Sequence, residues 1–568
     1  MLQPKLHNLF LCLLLIVLIN CNCSIIIKTK SGLVSGIWQK TYKSNKLYTS
    51  FKGIPYAEPP VGDLRYKVPV PVKPWNEILV TSDKYKDACP VLVQSMLFPL
   101  NSTQSENCLF LNVFVPAYNL LNKLLPVMFF IHAGAFTEGD GHSGFYGPDT
   151  FMEDEGVILV TVDYRLGPLG FMNFELPGLT GNMGFKDQQL ALKWVSENIK
   201  YFGGDPDAIT VFGYSSGGYS THFHVLNEYS RKLFARAILM SGNAVAYSAH
   251  YEPNNQLELV YDAFKDELNG ARDPRILYDF MKTASLDVLM QKTPANTLFT
   301  NVLELYWGAV IENKTLAVDP FLIERPRAIS QTTHIDTEML FGVTSAEALS
   351  LLVPSNLYVW VDSLTNSSSI RLPFRGLTLP KNSLLYKEMQ QVIYEFYFGK
   401  EKIQKNVYYL NQYVQMLSDA NFVYSFYDSM ELHKSTKTVC YYSNFDLNLN
   451  FVKIERGLEM VQGIGHMEEL PYLFHSYAYQ ELYENIEKNP NDHRNIQTKA
   501  AMRFVPKYFI DFAKSGQTIS SELNHNNSVT CTELTNDGLK SINNPRKDAM
   551  DMLNDVYDRV KPWIVNQF

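Results

Sequence analysis

Ser215 sits in Gly213-Tyr214-Ser215-Ser216-Gly217, and the β-type run Ile209-Thr210-Val211-Phe212 leads straight into it. A strand that turns at once into a helix leaves no room for side chains beside the turn, so the serine is bracketed by glycines and its hydroxyl is lifted clear of the sheet. A serine hydroxyl is a poor nucleophile near neutral pH. It needs a base to take its proton, and the base needs a partner that fixes its tautomer and stabilises its charged form. Glu347 and His466 fit those parts, in the chain order serine, acid, histidine. Glu347 ends Gly342-Val343-Thr344-Ser345-Ala346-Glu347, just past the apolar run Met339-Leu340-Phe341; His466 lies in Gln462-Gly463-Ile464-Gly465-His466-Met467-Glu468-Glu469-Leu470, where two glycines free the backbone. Taken singly, Glu347 reads as a carboxylate at a helix N-terminus and His466 as a loop histidine bonded to backbone. Together and in this order, the three spell nucleophilic acyl transfer.

That chemistry needs backbone donors for the negative oxygen that develops on the attacked carbonyl. Ile131-His132-Ala133-Gly134-Ala135-Phe136 follows an apolar run and is built from small residues. We assign the donors to the N–H groups of Gly134 and Ala135, with Ser216, next to the nucleophile, as the third. One such donor is worth ~3 kcal/mol in the transition state.

Several buried strands must hold these groups. Val127–Ile131 and Val157–Val162 are continuous apolar runs, as parallel strands buried on both faces should be. Ile209–Phe212, Ala237–Met240, Met339–Val343 and Phe422–Phe426 complete six expected strands. Leu190, Ala191, Trp194 and Val195 recur at helical spacing between Asp187 and Ile199. Strands alternating with helices predict the α/β-hydrolase fold, a mostly parallel central sheet with helices on both faces. Residues 25–66 read as small antiparallel hairpins, and the proline-rich Val68–Trp75 as an extended connector. Residues 244–335 read as a mainly helical insertion over the site. Residues 497–514 read as a helix kinked or broken at Pro506, and 516–547 as polar loop with one short strand.

With 568 residues, 46% of them hydrophobic, the chain can bury a large core; its net charge of −8, with no basic run, argues against nucleic acid as a partner. Lys5 and His7 precede an apolar stretch from Leu9 to Ile19, too short to span a bilayer and suited to a signal peptide cut between Cys23 and Ser24. Residues 1–23 are therefore expected to be removed, and 24–568 to form one secreted domain with no membrane segment. Cysteine use agrees: Cys12, Cys21 and Cys23 fall in the leader, and Cys89 and Cys108 flank a polar loop as a natural disulfide pair. Cys440 and Cys531 either pair or stay free. Asn101, Asn313, Asn366 and Asn526 stand in glycosylation sequons. No Cys/His cluster has metal spacing, and the chemistry needs no metal or organic cofactor.

The chain resembles the type-B carboxylesterases, the carboxylesterase/cholinesterase family, from about residue 25 to about residue 515. The marks are Phe51-Lys52-Gly53-Ile54-Pro55-Tyr56-Ala57, Ser105-Glu106-Asn107-Cys108-Leu109-Phe110-Leu111-Asn112-Val113, Asp163-Tyr164-Arg165-Leu166-Gly167, Gly181-Asn182-Met183-Gly184 and Phe202-Gly203-Gly204-Asp205-Pro206. The general style is similar to secreted insect esterases. The resemblance implies triad roles for Ser215, Glu347 and His466, the donors named above, and a Cys89–Cys108 disulfide. It also exposes departures. Tyr214 stands where the family often has Glu, Ser216 where Ala is usual, Ala133 for a Gly of the donor loop, and Ala348 for a Gly after the acid. Cholinesterase activity is disfavoured, because residues 90–107 contain no tryptophan to stack on a quaternary ammonium. The expected function is hydrolysis of small uncharged carboxylic esters; the alternative is a low-turnover relative that sequesters esters or organophosphates, or an adhesion protein.

Overall fold

The computed structural model describes residues 24–92, 103–117, 124–154, 156–246, 249–251, 253–294, 305–352, 357–364, 367–374, 376–434, 437–518 and 529–564. The expected leader 1–23 and the sequons at Asn101, Asn366 and Asn526 lie outside them; Asn313 is exposed.

Thirteen strands of the described residues form one sheet. In chain order they are β1 (Ile25–Lys28), β2 (Leu33–Lys40), β3 (Leu47–Pro55), β4 (Ile78–Val80), β5 (Phe110–Pro116), β6 (Leu125–Ile131), β7 (Ile158–Val162), β8 (Gly204–Tyr214), β9 (Arg236–Met240), β10 (Glu338–Thr344), β11 (Thr438–Asn444), β12 (Thr530–Thr535) and β13 (Gly538–Asn543). The spatial order is β1-β2-β3-β5-β7-β6-β8-β9-β10-β11-β12-β13, with β4 beside β2. Pairing is parallel from β7 through β12 and antiparallel at both ends. The mostly parallel sheet expected from the apolar runs is thus borne out, and the runs at 127, 157, 209, 237 and 339 are its centre.

The order contains one reversal. From β6 the chain steps to β7 on one side, then returns to β8 on the other. Helices must therefore leave opposite faces at β6 and β8, and a crevice opens above their carboxyl ends. Ile131 pairs with Gly213, so the donor loop and the serine turn leave the sheet side by side. Helix α1 (Met183–Asn198) precedes β8 and α2 (Ser216–Leu226) follows it. Beneath them Phe130, Phe212 and Phe474 meet at centroid distances of 4.7–6.1 Å. Each such side chain contributes roughly 1.5–3 kcal/mol by leaving water.

Four expectations are corrected. Phe422–Phe426 is not a strand: a helical turn at Asp419–Val423 continues into helix α3 (Tyr424–Leu432). Phe422, Phe426 and Met430 are buried at helical spacing, along with Val423, Ser425 and Ser429, a pattern that a five-residue apolar window conceals. The sixth parallel strand is β11, whose Tyr441 and Tyr442 are buried. Helix α4 (His493–Ser515) neither ends nor breaks at Pro506, which is buried together with Val505, Phe509 and Phe512; packing of that face compensates for one missing N–H. Residues 516–547 contain the β12–β13 hairpin rather than one strand, followed by the unexpected helix α5 (Lys547–Val560). β5 was also not anticipated. The insertion carries helices at Pro253–Ala263, Pro274–Thr283 and Leu286–Lys292, and its Gly308 lies against Phe136 of the donor loop.

Two disulfides are present. Cys89–Cys108 is the expected pair, and Cys440 joins Cys531, which settles the open question by tying β11 to β12. A buried imidazole pair joins α2 to α3. His222 Nδ1 accepts the Ala244 N–H at 3.1 Å, so its Nε2 carries the proton given to His433 Nε2 at 3.0 Å. Burial holds both groups below the usual 6.5, His433 at about 4. As pH falls from 6.5 toward 4 the unfolded chain takes up protons that the folded pair refuses, so stability present above 6.5 is lost across that window. Tm measured against pH is expected to drop there, and His433→Gln to flatten the drop by about one proton; an unchanged slope in the variant would show the pair to be inert.

Candidate active site

The serine turn is strained as its glycines foretold. Ser215 has φ 56° and ψ −119°, outside the regions an L-residue prefers. It is held there because its N–H donates to the Met240 carbonyl at 2.8 Å and its carbonyl accepts from Tyr219 at 2.9 Å. A Cβ on Gly213 would stand 2.3 Å from the Gly217 carbonyl oxygen, and one on Gly217 would stand 2.0 Å from that of Ile131. The start of α2 is thereby pressed onto the end of β6. Ser215 remains half-buried while Ser216 is buried, and the Ser216 N–H is one of the orphan donors at the start of α2.

The donor loop follows β6. Gly134, Ala135 and Phe136 have φ of 123°, 52° and 62°, so the chain coils tightly back on itself. Thr137 and Glu138 both donate to the Gly134 carbonyl, and a Cβ on Gly134 would stand 2.0 Å from the Glu138 oxygen. Gly134 is thus obligatory, whereas Ala133, the departure from the family pattern, is buried without strain.

Glu347 and His466 lie 119 residues apart and meet: His466 Nδ1 donates to Glu347 Oε2 at 2.6 Å. Glu347 is fully buried and its other oxygen accepts the Thr344 N–H at 2.8 Å, which fixes the carboxylate at the end of β10. With Nδ1 committed to the acid, Nε2 is the imidazole's free basic nitrogen. The loop from β11 that carries His466 is laced to the acid's loop: His466 N donates to the Glu347 carbonyl, Ala346 N to that of Ile464, and Ile464 N to Ser345 Oγ. The Gly465 N–H donates to Glu468 Oε2 at 2.7 Å and the Lys453 N–H to Oε1 at 2.9 Å; burial, opposed by these donors, lifts the Glu468 carboxyl to about 7.

Ser215 Oγ and His466 close no hydrogen bond among the described residues, as is common before substrate tightens a site. They occupy adjoining connections all the same: the ring of Tyr214, the residue before the serine, meets the His466 ring edge-on at 4.9 Å, and Phe422 flanks the imidazole at 5.0 Å. Phe422 and Glu469 are neighbours that sequence reasoning gave no part to, and Tyr214 entered it only as a departure from the family's usual Glu. Glu469 had a faint signal in its position three after the histidine; Phe422 had none, because it reaches the site from α3's side of the sheet. Among the described residues no group of three or more His, Cys, Asp or Glu could hold a metal ion.

A family model described as the carboxylesterase family matches residues 24–554. Juvenile hormone esterase of Tribolium castaneum is 31% identical over 509 residues, covering 85% of this chain and 83% of its own. A carboxylic ester hydrolase of Bombus ignitus is 32% identical over 463 residues, covering 78% and 79%. Among solved structures, juvenile hormone esterase from Manduca sexta matches with a TM-score of 0.77 at 24% identity, over 95% of this chain and 100% of that one, a likeness of fold. The resemblance read from the motifs is therefore borne out: the chain belongs to the carboxylesterase family and is a serine hydrolase of carboxylic esters.

Proposed function

We propose that the protein is a secreted carboxylesterase that cleaves uncharged esters through an acyl-Ser215 intermediate. The observation that carries the mechanism is the 2.6 Å hydrogen bond of His466 Nδ1 to Glu347, which leaves Nε2 as the base beside the strained serine turn. His466 takes the Ser215 proton as the hydroxyl attacks the ester carbonyl. The N–H groups of Gly134, Ala135 and Ser216 receive the negative oxygen. The imidazolium then protonates the leaving alcohol, and water, deprotonated by His466, releases the acid. Glu347 orients the ring and stabilises its positive charge throughout.

Uncharged substrates are favoured because no carboxylate precedes the serine and because the aromatic rings of Tyr214 and Phe422 flank His466. Secretion is supported by the leader-like residues 1–23, by two disulfides that need an oxidising compartment, and by the exposed sequon at Asn313. Residues 24–568 are read as one domain because a single sheet runs from β1 to β13. Among the described residues no helix is long and apolar enough to cross a membrane.

Turnover of a p-nitrophenyl ester by the purified protein is expected to fall about 10⁶-fold in Ser215→Ala. A Ser215→Ala protein with full turnover sinks the mechanism, and a wild type that takes a covalent organophosphate on Ser215 without measurable turnover points to sequestration instead. Glu347→Gln keeps the shape of the acid but not its charge, and kcat is expected to drop about 10⁴-fold with little change in KM; a loss under tenfold would remove Glu347 from the triad.

A further inference from the structure

Tyr214 fills the position directly before the nucleophile, and its side chain is fully buried. Its hydroxyl accepts two hydrogen bonds. One comes from the Met467 N–H, directly after the histidine, at 2.8 Å; the other comes from Ser241 Oγ at 3.0 Å. The first bond spans 253 residues and links the serine's strand to the histidine's loop. It acts in the direction the Glu347–His466 bond leaves free: the acid holds the imidazole by Nδ1, while Tyr214 holds the backbone just beyond it and lies edge-on to its ring.

An oxygen that accepts twice still has its own proton to place. Glu469, also fully buried, takes the Ser443 hydroxyl on Oε1, and its Oε2 has no hydrogen-bond partner among the described residues; the nearby Tyr214 hydroxyl favours the ionised carboxylate. The groups facing Glu469 are Glu347 from the turn after β10, Tyr214 from β8, and Ser443 and Tyr441 from β11, with Tyr508 of α4 behind Tyr441. His466 and Glu468 lie on its own loop. Burial and then the Glu347 charge raise the Glu469 carboxyl to about 8, against the Ser443 hydrogen bond and the nearby Tyr214 hydroxyl; burial also keeps Tyr214 un-ionised.

We propose that Tyr214 is a positioning residue of this esterase: its hydroxyl pins the His466 loop to the nucleophile's strand through the Met467 N–H and, keeping its own proton, aims its O–H at the unpartnered Oε2 of Glu469. The inference rests on the Ser215–His466–Glu347 reading given above. A family member with a carboxylate before the serine presents a charge at this point. This chain presents a neutral phenol, so the loop is held by a group that does not titrate near neutral pH.

The test uses Tyr214→Phe, which deletes the pin and keeps the ring, and Glu469→Gln, with ester turnover measured from pH 6 to 10. Ionised Glu469 places a second negative charge beside Glu347 and the His466 loop, so wild-type kcat/KM is expected to change through an inflection near pH 8. Tyr214→Phe is expected to lower kcat about 10- to 100-fold, with KM within about twofold, since the base is displaced and the binding surface is not. Losing the donor to Glu469, the variant should also shift the inflection to higher pH. Glu469→Gln should abolish the inflection. A Tyr214→Phe enzyme within twofold of wild type in kcat, or with an unmoved inflection, overturns the proposal. Should that variant not fold, hydrogen exchange of the wild type decides: a Met467 amide that exchanges at the rate of an open loop overturns the proposal, and a protected one sustains it. A wild type without turnover strikes the esterase reading itself, a different failure from an active enzyme whose variants behave as it does.

Discussion

The contact between Gly217 and the carbonyl of Ile131 is the constraint on which the site depends. It brings the first turn of α2 within side-chain-excluding distance of the end of β6, so the strand that supplies the donor loop and the helix that follows the nucleophile share one edge of the crevice. Any residue larger than glycine there separates the serine from the loop at 132–136 by the width of a methyl group. The positive φ of Ser215 is the local cost of that approach, and the bonds to Met240 and Tyr219 hold it in place.

Around this contact the sheet acts as a ruler. β8, β9, β10 and β11 stand in consecutive parallel register, so the connections after β8, β10 and β11 emerge at one end, spaced by strand pairing. Glu347 and His466 need only short loops to meet, because Thr344 already pairs with Ser443. The Cys440–Cys531 disulfide ties the strand below the histidine loop to its outer neighbour.

The electrostatics are as economical. Glu347, Glu468 and Glu469 are all buried within a few residues of His466 in space or in sequence. Three charges there would repel one another in a dry setting. Burial raises the Glu469 carboxyl to about 8 and Glu468 to about 7, which reduces the negative charge these two place beside the imidazole at neutral pH. Glu468 spends its oxygens on the backbone N–H groups of Gly465 and Lys453, and Glu469 spends one on the Ser443 hydroxyl.

Much of this was legible in the residues. The bracketing glycines, the order of serine, acid and histidine, and the fully apolar runs at 127, 157, 209, 237 and 339 are local patterns, and local sterics and burial decide them. Phe422–Phe426 and Thr438–Asn444 were not legible. A short apolar segment satisfies helix and strand alike, and only packing against β10 and α5 selects between them. The Cys440–Cys531 pairing, the second strand after residue 529 and the uninterrupted helix through Pro506 were likewise closed to pattern reasoning, since each depends on partners far along the chain. The same holds for Tyr214: its position beside the nucleophile could be read from the chain, but the bond to Met467 arises only when β8 and the loop after β11 are folded to the same end of the sheet. The amino-acid order by itself determined which groups are candidates to react; tertiary structure decided how they are held, because hydrogen bonds and steric contacts join atoms by distance in space and not by position in sequence.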